Sequence, residues 1–566
     1  MNSTLSHFHA LRRAFKRRFY EHELLAADGD PAAPLADLMG ILITFGAAVC
    51  FQLAMTHSGV PYSAPRAIRA MMAWGDELLL MSISIAVAAV FVVVCWEALF
   101  PDLTDCLVLS PMPVRMWTVF AAKLGAVLPV FGLLVACTNL FPIVAYPPMM
   151  SVYLSRPVLL SIAAYAVAFG AASVFVLASA VALQGLLVLL LPHRVFQRSS
   201  AYVQAAMMGS VLLMFFVTPQ ATLDQLSEPG NRLASALLPP FWFVGVYEAV
   251  VGNASPEVPR LVWIATGAIA AALALAGLAY SFGYARYVRR TIQGAGARRS
   301  ARSARRAWAA PLAARTLPDL RERALFNFVW RTMVRSRTHR LLLAGYIGVG
   351  VAYLVIRVAS AVRHDGWPAM LAPNAALAGV PIVISFFVLL GMRVIFSLPV
   401  NLKANWLFRM LETGSPERDV AAVRKLMLAA GVLPSAAAAI ALYPALWGAA
   451  AGLRFAAVAV LIALVVLEAL MLTFHKIPFT CAYLPGKANL KMTFGLYIGA
   501  FIGASILVSR AAAAAAKSPF VFASVALPAA AAYLLLVWLR RRTAPGDGPL
   551  VYDELPEWKV ITLDLG

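Results

Sequence analysis

Charge is scarce in this chain. Only 13% of its 566 residues are Asp, Glu, Lys or Arg, where a soluble chain carries about 25%. That shortage excludes an ordinary soluble domain. Cysteine is equally sparse. Cys50, Cys95, Cys106, Cys137 and Cys481 lie in or beside apolar runs without metal-ligand spacing, so neither a disulfide framework nor a zinc site is expected. No G-x-x-x-x-G-K-[ST] occurs, so the chain has no phosphate-cradling loop of its own. No stretch alternates strand and helix patterns over the length of a soluble nucleotide-hydrolysing domain. Residues 1–35 mix charges of both signs without an apolar h-region, so no cleavable signal peptide is expected. Acid is scarcer than base, 26 residues against 47, for a net charge of +21. The basic residues flank apolar runs rather than forming a soluble module, so nucleic acid is not an expected partner. Their ordinary role is to hold loops on the cytoplasmic side.

What the chain does have is apolar length. It is 62% hydrophobic with a mean hydropathy of +0.80. The expected fold is an all-α polytopic membrane protein. Runs long enough to span lie near 36–56, 77–100, 117–141, 157–191, 201–218 and 260–283. A second set lies near 341–362, 377–397, 422–449, 452–474, 492–509 and 519–540. That makes about twelve transmembrane helices. The fourth run exceeds a ~30 Å hydrocarbon core and is expected to protrude, tilt or break near Gly170. With about twelve spans both termini share one side, and most Lys and Arg fall there, so both termini are expected in the cytoplasm. Arg outnumbers Lys and Ala is abundant, as in a GC-rich bacterial coding sequence. The expected location is therefore a bacterial inner membrane.

The runs divide into two pseudo-symmetric six-helix halves. Residues 1–283 form the first. Residues 284–322 form a basic cytoplasmic linker, and 323–566 form the second half with a short cytoplasmic tail. Each half opens with a basic, aromatic segment suited to the headgroup layer: "FHALRRAFKRRFYEHELL" (8–25) and "RALFNFVWRTMVRSRTHRLLL" (323–343). Each has a Pro-bearing cytoplasmic segment between its second and third spans, at 101–116 and 399–421. Such repetition suggests a pseudo-two-fold axis along the membrane normal, with a substrate path between the halves.

This plan resembles the export-type ABC transporter permeases of the type-two class. The best local match is "DCLVLSPMPVRMWTVFAAKL" (105–124): an acid, a leucine-rich turn, a Pro-hydrophobic-basic element, then a span. In that family an interfacial helix precedes six spans, and a coupling helix between spans two and three meets the ATPase. A re-entrant hairpin lies outside between spans five and six. "LASALLPPFWFVGVYEAVVG" (233–252) sits at the hairpin position, whereas its counterpart "SRAAAAAAKSP" (509–519) is short and featureless. The resemblance implies a separately encoded ABC ATPase, in two copies, holding ATP and Mg. It makes Asp102, Asp105, Pro111, Pro113 and Arg115 one docking surface. Pro399, Asn405, Trp406, Arg409, Glu412, Glu417 and Arg418 make the other. Pro fixes the backbone at a short helix boundary, mixed charges give registry, and Trp406 is a candidate anchor. It also implies that spans one, two and five of each half line the path; these are apolar and rich in small residues, which suits lipids, glycolipids or hydrophobic peptides but also plain helix packing. The other reading of both segments is a solvated loop.

Two alternatives stay open. An intramembrane acid is a functional suspect because burying charge is costly, and Glu468 in "LVVLEALMLTF" reads as the deepest. It would serve an ion- or proton-coupled secondary transporter. A membrane enzyme or scaffold is the third class. "FHKIPFTCAYLPGKANLK" (474–491) holds His475 and Cys481, but nothing supplies the third group a nucleophile needs. No catalytic, cofactor or metal residue is therefore assigned.

Overall fold

The structure, a computed structural model, describes residues 2–20, 32–58, 63–99, 105, 108–109, 112, 114, 116–191, 193–217, 229–296, 319–398, 410, 416–472, 474, 477–480 and 490–543. Among these the backbone is helical with short turns, and no strand occurs. A bilayer interior offers the backbone no water, and a helix satisfies its own N–H and C=O groups. The chain divides into two compact units, Met1–Arg302 and Ser303–Gly566.

The first unit contains α1 (Asn2–Tyr20), α2 (Ala32–Ser58), α3 (Arg66–Val94), α4 (Met116–Leu154) and α5 (Val158–Leu190). It continues with α6 (His193–Val217), α7 (Pro229–Leu237), α8 (Pro239–Val251) and α9 (Glu257–Gly296). The second contains α10 (Leu320–Arg335), α11 (Arg337–Asp365), α12 (Ala375–Ile395), α13 (Pro416–Met427) and α14 (Leu433–Trp447). It ends with α15 (Ala449–Met471), α16 (Leu490–Lys517) and α17 (Pro519–Thr543). A π-helical turn, Leu428–Val432, joins α13 to α14. We call base the end of each unit that carries α1 or α10, and head the opposite end.

Ten helices among the described residues are long and apolar enough to cross a membrane, fewer than the expected twelve. The other two expected spans correspond to α6 and α16. The polar start of α6, His193 to Ser200, leaves Tyr202–Phe215 as its apolar part. Of the three outcomes open to the fourth run, a break near Gly170 does not occur: α5 runs unbroken. In contrast, α4 is 39 residues long and continues through Pro129, Pro142, Pro147 and Pro148. At ~1.5 Å per residue that is roughly 58 Å, about twice the hydrocarbon thickness. Pro142 cannot donate to Thr138, and α2 crosses α4 there: a Cβ on Gly46 would sit 2.9 Å from the Thr138 oxygen.

The two units share most of their helix pairings. The second span packs on the fourth and fifth (α3 on α5 and α6; α12 on α15 and α16). The fourth packs on the sixth (α5 on α9; α15 on α17). The amphipathic helix lies against the start of the third span (α1 on α4; α10 on α13). Small residues permit the close crossings. A Cβ on Gly452 would meet the Tyr443 carbonyl carbon at 2.4 Å, so α14 and α15 touch backbone to backbone.

Candidate functional site

At the base of the first unit, α1 is fastened to the opening turns of α4. Arg12 Nε donates to the Gly125 oxygen at 3.1 Å. The Lys123 ammonium lies 5.1 Å from the Phe15 ring centroid and pairs with Asp105. Both members of that ion pair are buried. Asp105 therefore secures the segment from within, which differs from the surface role expected of it. Asp102, Pro111, Pro113 and Arg115 lie outside the described residues. What this segment does expose is apolar: Val108 and Met112, followed by Trp117. In sequence these three carry no mark of their own, since the adjoining spans are equally apolar.

The second unit is fastened in the same place by different pairs. Asp319 caps α10, accepting from the Arg321 backbone N–H at 2.9 Å. Arg321 then grips Asp419 of α13 with two bonds, Nε to Oδ1 at 2.9 Å and Nη2 to Oδ2 at 2.7 Å. A planar fork on a carboxylate is the strong form of this contact. Lys425 pairs with Glu322. Beneath these ion pairs Leu325, Val329 and Met333, one buried stripe of α10, pack with Val423, Leu426 and Phe479. Among the candidate docking residues, Arg418 is exposed and bonds Asp319 at 3.3 Å. The side chain of Glu417, and Pro399, Asn405, Trp406, Arg409 and Glu412, lie outside the described residues. Met410 between them is exposed.

A folded turn braces the start of the second segment. The Phe479 N–H donates to the Phe396 oxygen at 2.9 Å. Phe479 has φ +69°, a left-handed backbone that a bulky residue adopts only when its surroundings hold it. His339 meets its ring edge-on, centroids 4.8 Å apart. His339 Nε2 lies 3.1 Å from the Leu398 oxygen, and Nδ1 lies 2.5 Å from Ser336 Oγ. A carbonyl can only accept, so Nε2 carries the proton and Ser336 donates to Nδ1.

Glu468 does not lie mid-span. It is in the last turn of α15, completely buried, and sits between two guanidinium groups. Arg424 Nε donates to Oε1 at 2.6 Å and Arg540 Nε to Oε2 at 2.8 Å. The triad ties α13, which begins inside the second Pro-bearing segment, to α15 and α17. Arg424 and Arg540 were missed because basic residues at span ends read as topology signals.

No protein-family model, curated protein or solved structure matches the chain.

The head of the first unit holds a second buried charge cluster, also missed from sequence. Arg156, in the turn between α4 and α5, donates to Glu248 Oε2 of α8 at 2.8 Å and lies 3.7 Å from Glu77 Oε1 of α3. Asn253 Nδ2 donates to Glu248 Oε2 at 2.7 Å. Burial weakens the Arg156 guanidinium's hold on its proton, but Glu248 and Glu77 outweigh it and keep it above its ordinary value. Burial first, then Glu77, pushes the Tyr247 hydroxyl up. Glu77 is fully buried beside Glu248, and Trp74 Nε1 has no hydrogen-bond partner. Nearby, His57 pairs with Asp76. Asp37 is exposed, and the Glu97 side chain lies outside the described residues. Among the described residues no group of His, Cys, Asp and Glu is placed to hold a metal ion.

Proposed function

We propose that this multi-pass membrane protein is the permease of an ATP-driven exporter in a bacterial inner membrane, with both termini cytoplasmic. A separately encoded ABC ATPase, in two copies that hold ATP and Mg, docks on segments 101–116 and 399–421. One observation carries the reading. In each unit the amphipathic helix at the base is fixed where the Pro-bearing segment leads into the third span: in one, Arg12 of α1 bonds the Gly125 oxygen and Phe15 lies under Lys123, itself paired with Asp105; in the other, Arg321 of α10 pairs with Asp419. A force on either segment then moves a rigid body, because the helix and the start of the third span travel together. The Glu468 triad and the Phe479 turn extend that body to α12, α15 and α17. Exposed Val108, Met112 and Met410 supply apolar contact for a partner cleft, and Arg418 supplies registry.

The test is purification of the full chain from native membranes in mild detergent, with ATP hydrolysis measured on the material recovered. The wild type carries a nucleotide-hydrolysing protein, and reversal of Arg115 and Arg409 to Glu releases it. Unchanged assembly and turnover in the double reversal remove those residues from the docking surface.

Glu77 favours a second reading, a proton- or ion-coupled secondary transporter, because a fully buried carboxyl beside a second acid, Glu248, and met by Arg156 at 3.7 Å is suited to bind and release a cation. Glu468, already neutralised by two arginines, no longer recommends it. Transport that needs a pH gradient, ignores ATP and fails in Glu77→Gln selects this reading.

A further inference from the structure

Several half-buried arginines of the second unit are satisfied at short range. Arg424 and Arg540 meet Glu468, and Arg454 donates twice to the Ala516 oxygen, at 3.2 and 2.7 Å. Arg357 is different. It lies within the apolar stretch Thr338–Val362 of α11, where an unneutralised guanidinium is costly. Its hydrogen bonds are two long ones: Nη1 to Ser509 Oγ and Nη2 to the Ala375 oxygen, each 3.4 Å. Both exceed the usual 2.7–3.2 Å range of N–H···O bonds. Its carbon stands 5.7 Å from the Tyr353 ring centroid. No carboxylate pairs with it among the described residues.

The surroundings hold the guanidinium in place without neutralising it. The Tyr353 hydroxyl bonds Ser505 Oγ at 2.8 Å, and Ser509 Oγ donates to the Ser505 oxygen at 2.5 Å. The Ser509 proton is thereby committed, and its oxygen is turned to accept from Arg357. A guanidinium has five N–H donors in a planar fork; here two are weakly engaged. Space is kept clear by Gly379, where a Cβ would come within 3.1 Å of Ser509 Oγ and 3.4 Å of Arg357 Nη1. Arg357 is half-buried, not sealed. It lies eight residues before the end of α11 at Asp365, roughly 12 Å along the axis. A long side chain reaches the headgroup layer from there, and exposed Trp367 marks that layer just beyond the helix.

We propose that Arg357, held by Tyr353, Ser509 and the Ala375 carbonyl, is the recognition site for the phosphate head of an anionic amphiphile. The occupant is membrane-borne because Arg357 is half-exposed within a stretch apolar enough to cross the bilayer. The donor fork supplies the bidentate geometry that phosphate prefers. The site stands whether or not an ATPase docks at the base.

The test uses the full chain, delipidated and reconstituted in nanodiscs, with bound lipid counted by native mass spectrometry. Phosphatidylglycerol is compared with diacylglycerol of the same chains, and inorganic phosphate is added in a separate arm. The wild type retains phosphatidylglycerol over diacylglycerol. Arg357→Gln loses that preference by about tenfold or more, the effect of one charge-assisted contact. Arg357→Lys keeps the charge without the fork and falls between them. Arg510→Gln, an exposed arginine beside Ser509, behaves as wild type. Equal retention by wild type and a folded Arg357→Gln, with matching thermal midpoints, overturns the assignment. So does binding of inorganic phosphate with no preference for the phospholipid, which would make the ligand a soluble oxyanion. If Arg357→Gln does not fold, Arg357→Lys carries the same comparison.

Discussion

The two units close their heads in opposite ways. In the first, the chain between α6 and α9 forms the two short helices α7 and α8, and α8 packs among α3, α5 and α9. That insertion brings an acid into the interior, and Arg156, Glu248 and Glu77 meet there. In the second, α16 runs on to Lys517 and α17 begins two residues later. Its alanines Ala512, Ala513, Ala515 and Ala516 are buried in a cluster with Tyr443, Trp447 and Phe455. One head is held by charge on an inserted helix and the other by small residues beneath aromatic rings. At the base the units instead converge on one device, an amphipathic helix bolted to the start of the third span. What the units share is the base, and what differs is the head.

Mutations sharpen this contrast. The largest effect is expected at the base of the second unit. Glu468→Gln leaves two partly buried guanidinium groups without their counter-charge. Removing one partner of a buried ion pair costs ~3–5 kcal/mol, so its thermal midpoint falls well below wild type. In the first head, Arg156→Met strands Glu248 and Glu77 and costs about 3 kcal/mol by the same mechanism. The conservative Glu77→Gln costs less, since Arg156 keeps its closer partner Glu248 at 2.8 Å and loses only the 3.7 Å contact. Equal losses for those two variants would contradict the roles assigned to Arg156 and Glu77. In the second head, Ala515→Leu overpacks a fully buried site and costs ~1–3 kcal/mol. The smallest effect is at Arg418. Its ion pair with Asp319 is solvent-exposed, so Arg418→Ala shifts stability by under ~0.5 kcal/mol; under the proposed function it also weakens recovery of the proposed ATPase.

Much of the fold was legible because apolar runs of bilayer length have few other fates. Boundaries were less so. α3 begins at Arg66, well before the expected 77, because Arg69, Asp76 and Glu77 depress local hydropathy; the helix persists because those groups find partners in the fold. α4 passes the expected end at 141 because prolines that end soluble helices are tolerated where neighbouring helices pack closely. The candidate site was legible only by location. Asp105 and Arg418 stood out as charged residues beside prolines. Their partners Lys123 and Asp319 did not, nor did Arg424 and Arg540 around Glu468, since pairing across tens of residues leaves no local pattern. Exposed Val108 and Met410 were passed over for a related reason, since an apolar residue in an apolar chain attracts no notice until its burial is known.

The most direct measurement is site-specific photo-crosslinking from positions 108 and 410 in native membranes, with the captured protein identified by mass spectrometry. The account predicts that both positions capture the same protein, one that carries a phosphate-binding loop, and that capture occurs from the cytoplasmic face. Capture of no such protein from either position, or labelling of either by an impermeant reagent from outside the cell, contradicts it.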